Sequence, residues 1–367
     1  MFPYVTGIKI AVLALLCYHK CVFDKEKNKI EKELLRFTRS LDRTYRLKKA
    51  SPLLSRSITE FVTRPGKRVR PILFLAGYKG FTRRRPKGLY TSALCVEFLH
   101  DFMLIHDDII DKSSTRRGKP SMHMKLNRHL RNLKGLKFNG QDLAIVIGDV
   151  IYAMGIDAFL AVHEDPTRKE RALRKFIHAA VYTGSGEFIE LVQGIKPIDR
   201  ITKEEIYRIY DYKTAYYTFS CPLSAGAILA GASSVQTDIL FRFGQYLGRA
   251  FQIKDDIIGI FADEKKIGKS TLTDLQEAKK TLLIWHAYRN SGASGKKEIR
   301  DVFEKKKVTA ADLKRIRLVM EESGGLQKSI EEIRSLQSKA EKLLDKSNIA
   351  GSAQRFLRNY SLSILRI

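Results

Sequence analysis

The residues best suited to chemistry are two copies of Asp-Asp-Ile-Ile, at Asp107–Ile110 and Asp255–Ile258. Each lies near the C-terminal end of a long apolar stretch with helical periodicity. Paired carboxylates in an apolar helix are costly unless something cationic neutralises them. Two such pairs, far apart in the chain, point to one site with carboxylates on facing walls and divalent metal between them. Carboxylate oxygens favour hard cations, and hard cations bind diphosphates. In the first copy Asp107 and Asp111 are i,i+4 neighbours on one helical face, with Asp108 between them. In the second, Asp256 stands beside Asp255. The residues before the first pair, Leu94–Ile105, are mostly apolar, which argues against a merely solvated acidic face.

Compact basic groups are interleaved with these acids. Gly66-Lys67-Arg68-Val69-Arg70-Pro71 precedes both pairs. Arg116-Arg117 and Lys213-Thr214 lie between them, and Lys269, Lys279 and Lys280 follow. Metal on the acids and direct contacts from the bases would clamp two phosphate-bearing ligands.

With these motifs in this order, the sequence resembles the trans-prenyl diphosphate synthases from roughly Lys29 to Asp345. The resemblance rests on Gly66-Lys67-Arg68-x-Arg70-Pro71, Asp107-Asp108-x-x-Asp111 followed by Arg116-Arg117-Gly118, Gly148-Asp149, Lys213-Thr214, Gln252-x-x-Asp255-Asp256 and Gly268-Lys269-Ser270. It implies an all-α bundle around a deep central cavity and a homodimer. It also implies head-to-tail condensation of isopentenyl diphosphate with an allylic diphosphate, with three magnesium ions per site. Asp107, Asp111 and Asp255 would be the principal metal ligands, with Asp108 and Asp256 supporting. Arg116, Lys213 and Lys269 would serve the allylic diphosphate, Lys67, Arg70, His100 and Arg117 the isopentenyl diphosphate, and Lys279 would be a further substrate contact. Thr214 and Gln252 would face the developing allylic cation, and the departed diphosphate would take up the proton. An aromatic five residues before Asp107, with two residues between Asp108 and Asp111, resembles archaeal-type geranylgeranyl diphosphate synthases. Phe102 is therefore the expected floor of the tail cavity, and C20 the expected product. Met103 adds bulk nearby, which keeps C15 as the alternative.

Three positions depart from the family pattern. Gly259 stands where many members carry a third aspartate, Ala278 where glycine is common, and Glu187 where glutamine is common. A non-catalytic partner subunit would be expected to lose an aspartate pair or the arginine pair, and both are present. A one-substrate terpene cyclase would not need Lys67, Arg70 and Arg117.

The elements that must position these groups read as helices throughout. Asp24–Leu47, Leu89–Asp111, Leu143–His163, Arg168–Gly194 and Ile239–Ala262 are helical by period, as are Lys279–Arg289, Thr309–Ser323 and Gly325–Asp345. Thr202 with Glu205 forms a capping-box signal for a helix running through Lys213. Lys112–Pro120 reads as a loop, Met122–Gln141 as basic and loosely patterned, and Asn290–Gly295 as the best linker.

The 367 residues carry 44% hydrophobic content and a formal net charge of +27. That is a globular composition suited to anionic partners. No zinc-finger spacing, P-loop or RNP-type strand supports a nucleic-acid module. Cys17 and Cys21 lack further ligands for a metal site, and Cys95 and Cys221 lie in apolar segments, so a reducing cytoplasm is expected. Ile10–Cys17 is an apolar run of eight, against about 20 needed to span a bilayer. Residues 1–23 are read as a short extension, of which Met1–Lys20 is expected to be dispensable for catalysis and at most a peripheral membrane contact. Residues 24–367 are read as one all-helical domain.

Overall fold

The computed structural model describes the backbone of residues 4–262 and 271–365, and within these the side chains from Phe23 onward except Thr273. Lys269, with Gly268 and Ser270, therefore lies outside the described residues, as do the side chains of Cys17 and Cys21. The chain is all-α as expected. Among the described residues the β-structure is a two-residue hairpin, Thr115–Arg116 against Lys119–Pro120, inside the predicted loop.

Helix α1 (Tyr4–Tyr45) leads to α2 (Leu47–Ala50), α3 (Pro52–Val62) and α4 (Val69–Lys79). Helices α5 (Leu89–Ala93) and α6 (Cys95–Ile110) form the first acidic arm, interrupted by a turn at Leu94. Helix α7 (Met122–Leu130) gives part of the basic stretch regular structure. Asn139 then opens α8 (Gly140–Leu160) with a capping box. By length and composition α8 could cross a membrane, but here it packs between α6 and α7, with Ala144, Ile147 and Ile151 in the core. Helix α9 (Pro166–Ile195) follows, capped by Asp165.

The expected capping box of Thr202 and Glu205 is present and starts α10 (Lys203–Ile209). The helix does not run on as α to Lys213, however. It widens into a π-helix, Tyr210–Ser220, that carries Lys213 and Thr214. A π-turn inserts extra backbone and re-aims side chains, and such turns concentrate at functional sites. The neighbours make room for it. A Cβ at Gly186 on α9 would come within 2.6 Å of the Lys213 backbone nitrogen. Helix α11 (Cys221–Leu229) continues the chain, and Ser233 caps α12 (Ser234–Phe261), the second acidic arm.

Beyond α12 come α13 (Thr273–Gln276), α14 (Leu282–Asn290), α15 (Ala293–Phe303), α16 (Ala310–Glu322), α17 (Gly325–Asp345) and α18 (Gly351–Leu365). Helix α14 starts at Leu282 rather than Lys279, because Thr281 is its cap. The Asn290–Gly295 segment is a tight turn between α14 and α15, not an extended linker. Two apolar clusters flank the site. One gathers α12, α14 and α17 around Phe243, Leu247 and Leu336; the other gathers α4, α6, α8 and α9 around Phe74, Phe98 and Phe176. The π-helix and α11 contribute to both clusters, so Lys213 and Thr214 stand at their junction.

Candidate active site

The structure brings the two acidic motifs together across Lys213 and Lys279, which approach Asp107 and Asp111 and line a cavity shared with the second motif. Asp107 and Asp111 project from the end of α6, where the helix stops at Ile110. Asp255 and Asp256 lie on α12, and a cavity of about 330 Å³ is lined by both together with Glu190, Lys213, Gln252 and Lys279. Asp107, Asp111 and Glu187 each present one carboxylate oxygen, all within 4.8 Å of one another. Hard oxygen donors at this spacing suit magnesium. Glu187 Oε1 and Asp108 Oδ2 are buried without a hydrogen-bond partner, which leaves acceptor capacity for a cation or its water.

Three basic side chains lie over these acids. The Arg116 guanidinium donates to Asp108 at 2.5 and 2.8 Å and lies 3.3 Å from Asp107. Lys213 Nζ sits 2.6 Å from Glu187, 2.5 Å from Glu190 and 3.5 Å from Asp107. Lys279 is 2.7 Å from Glu277, 3.7 Å from Asp274 and 3.8 Å from Asp111. Burial alone would lower the lysines' pKa values. Glu190 and Asp107 outweigh burial at Lys213, as Glu190 and Asp111 do at Lys279, and hold both well above the ordinary value. Both therefore stay cationic.

The second motif is neutralised differently. Asp256 is buried, and accepts hydrogen bonds from the Tyr210 hydroxyl and from Gln252 Nε2. Burial pushes its pKa up to about 8, against the lowering effect of those bonds. Asp255 can be reached by solvent, yet it stands inside a concavity. Desolvation there raises it to about 6, opposed by Lys67 and Lys254. The Thr214 hydroxyl donates to Gln252 Oε1 at 2.6 Å, so the two predicted neighbours of the cation are in contact.

The residues expected for the second diphosphate also converge. Arg70 donates to the hydroxyls of Tyr217 (2.8 Å) and Thr218 (2.9 Å), and its guanidinium stacks on the Tyr217 ring. His100 Nδ1 lies 3.4 Å from the same Tyr217 hydroxyl. Burial, with Arg70 and Arg117 nearby, depresses His100 well below the usual imidazole range, so it is neutral at pH 7. Arg117 adopts φ 55° and sets its guanidinium beside Gly66. Lys67 is exposed beside Asp255. Arg68, between Lys67 and Arg70, faces inward instead. Fully buried, it bonds Glu97 at 2.6 Å and Glu31 at 2.8 Å and anchors the loop.

A second cavity of about 380 Å³ opens from the same site and is mostly apolar, lined by Phe102, Met103, Ile110, Phe188, Leu191 and Tyr217 among others. Asp107, Lys213 and Thr214 also line it. Phe102 and Met103 thus both line it, as their positions before Asp107 predict.

Sequence reasoning missed Glu187 as a member of the acidic cluster, and Glu190 entirely. The i,i+3 spacing of Glu187 and Glu190 in an apolar helix was the available signal. The departures at 259 and 278 gain physical meanings. A Cβ at Gly259 would come within 2.6 Å of an Asp274 carboxylate oxygen, so the small residue gives that acid its place in the cleft. Ala278 holds φ +50°, a left-handed backbone that glycine adopts at lower cost.

The family described as polyprenyl synthetase matches residues 51–320. The geranylgeranyl diphosphate synthase of Sulfolobus acidocaldarius is 34% identical over 235 residues, 64% of this chain and 66% of that protein. The geranylgeranyl diphosphate synthase of Saccharolobus solfataricus is 32% identical over 258 residues, 69% of this chain and 72% of that protein. The fold matches that of geranylgeranyl pyrophosphate synthase from Corynebacterium glutamicum, crystallised with isoprenyl diphosphate and magnesium. That likeness has a TM-score of 0.85 and 24% identity, covering 94% of this chain and 99% of the other. The acidic cleft, the basic cover and the apolar cavity beneath them thus sit in a chain that belongs to the polyprenyl synthetase family.

Proposed function

We propose that this chain is a short-chain trans-prenyl diphosphate synthase that condenses isopentenyl diphosphate with an allylic diphosphate and releases geranylgeranyl diphosphate (C20). The observation that carries the reading is an acidic and basic cavity that shares Lys213 and Thr214 with an apolar cavity lined by Phe102 and Met103. The names of the archaeal relatives support the same product. Met103 narrows the same cavity and favours C15 as the second reading.

Asp107, Asp111 and Asp255, supported by Asp108 and Asp256, would hold three magnesium ions. Bound magnesium supplies Lewis-acid stabilisation of the leaving diphosphate, worth several kcal/mol. Arg116, Lys213, Lys269 and Lys279 bind the allylic diphosphate. Lys67, Arg70 and Arg117, with neutral His100 as a hydrogen-bonding partner, hold isopentenyl diphosphate one step away. The Thr214 hydroxyl donates its proton to Gln252, which turns its lone pairs toward developing positive charge. The walls around Phe102, Met103 and Tyr217 exclude water, which would otherwise capture the allylic cation.

Residues 24–367 act as one catalytic unit in a reducing cytoplasm, where the buried Cys95 and Cys221 remain thiols. Helices α8 and α9 expose Val146, Val181, Phe188, Val192 and Ile195. An apolar stripe of that extent suits an interface, and we assign it to a homodimer. Incubation with labelled isopentenyl diphosphate, magnesium and each allylic primer tests the function. The expected longest main product is C20 after dephosphorylation; absence of incorporation with every primer would refute the reading.

A further inference from the structure

The tail cavity does not end on backbone behind Phe102. The Phe102 ring lies 5.2 Å from the ring of Tyr152. Tyr152 stacks on Phe176 at 6.2 Å and 15°, and Phe176 on Phe159 at 6.4 Å and 20°. The rings come from different helices: Phe102 from α6, Tyr152 and Phe159 from α8, Phe176 from α9. Phe159 and Phe176 are fully buried core rings, whereas Tyr152 is only partly buried. Gly148, one turn before Tyr152, sets the spacing. A Cβ there would meet His106 at 2.5 Å and Phe102 at 3.4 Å. Its absence lets the α6 rings rest against α8, with the Phe102 ring tilted 34° against Tyr152. The Tyr152 hydroxyl makes no hydrogen bond to a described residue, so ring packing fixes its position.

We propose that Tyr152 is a second, specificity-determining floor beneath Phe102, so that two aromatic layers in series set product length. The inference rests on the prenyl synthase reading and extends it to a residue on another helix. While Phe102 is in place, a growing tail never reaches Tyr152. Removing Phe102 alone exposes the face of Tyr152 and admits about one more five-carbon unit. Removing both opens the space toward Phe176, so the effects of the two substitutions on length are not additive.

The test is chromatography of dephosphorylated products from F102A, Y152A, F102A/Y152A and F102A/Y152W, with thermal melts as a folding control. Y152A should keep the wild-type length. F102A should lengthen the main product by one unit, and F102A/Y152A by at least two. F102A/Y152W, which thickens the second layer and retains aromatic packing, should be shorter than F102A. It carries the test even if F102A/Y152A does not fold. F102A/Y152W matching F102A would overturn the second layer. A wild type that stops at C15 would overturn the C20 reading alone, because every comparison in the series is made against the wild-type product.

Discussion

The first acidic motif, at the end of α6, and the second, within α12, share the letters Asp-Asp-Ile-Ile but not their electrostatics. Around Asp107, Asp108 and Asp111 the negative charge is met by cations: Arg116, Lys213 and Lys279. Around Asp256 it is met by neutral donors, Tyr210 and Gln252, and the carboxyl is raised to about 8. The difference follows from position. The first motif terminates its helix, so the loop carrying Arg116 can fold back over it. The second motif is followed within α12 by Ile257–Phe261, and Asp256 is buried at the cavity wall within reach of Tyr210 and Gln252. Lys213 lies among the same carboxylates that could hold an ion, so a bound metal would compete with its ammonium for Asp107 and Glu187.

The largest expected effect is on the two carboxylates proposed to hold metal, half-buried Asp107 and exposed Asp255. Asp107→Ala and Asp255→Ala should each lower turnover by about 10²–10³ or more, since each removes a group whose role is electrostatic. The folds should survive, because losing one of several repelling carboxylates does not weaken the metal-free state. Steady-state kinetics with saturating magnesium, together with circular dichroism, check both statements. Near wild-type turnover in either variant would remove that residue from the metal site.

Asp256→Asn should cost less, roughly tenfold. Its neighbours already treat the side chain as a neutral hydrogen-bonding group, and an amide retains most of that role. If Asp256→Asn proved as damaging as Asp255→Ala, Asp256 would have to act as a charged ligand, and the contrast between the motifs would fail.

The pH dependence of stability is the next smaller effect. Burial raises Glu187 to about 7 and Asp256 to about 8. A carboxyl whose folded pKa is raised contributes stability that is complete below its unfolded value near 4. That contribution is lost as pH rises through the folded value. The depressed His100 has finished its own contribution above pH 6.5. Between about pH 6.5 and 8 the metal-free protein should therefore lose on the order of 1 kcal/mol per pH unit. Magnesium with a diphosphate should stabilise it more at pH 8 than at pH 6.5. Melting curves at both pH values decide this, and a metal-free melting temperature that rises over this window would contradict it.

The smallest effect concerns Ala278. Its left-handed backbone costs about 1 kcal/mol, partly offset because alanine restrains the unfolded chain more than glycine does. Ala278→Gly should stabilise the protein by roughly 0.5 kcal/mol, read from urea midpoints. A lower midpoint would show that this strain is absent.

Much of this site is legible in the residues. Asp107 and Asp111 declare themselves by helical spacing, Thr202 and Glu205 by a capping box, and Phe102 by its distance from the first aspartate. What stays hidden depends on tertiary approach. Glu187 becomes a neighbour of Asp107 only because α9 packs closely on the π-helix at Gly186, and no local pattern encodes that distance. The π-helix itself, Tyr210–Ser220, has an ordinary helical sequence. Its widening is set by neighbours rather than by propensity. Arg68 sits inside a basic motif and looks like a phosphate ligand, yet Glu31 and Glu97 from distant segments turn it inward. Lys279 reads as the start of a helix, but Thr281 is the better cap.

The central claim is that the two unlike motifs bind one ligand together. Equilibrium binding of a non-reactive allylic thiodiphosphate, with and without magnesium, tests it most directly in the wild type, Asp107→Ala and Asp255→Ala. The account predicts tight binding in the wild type only with magnesium, and loss of that magnesium-dependent gain in both variants. Retention of the full gain in either variant would show that its motif does not share the site.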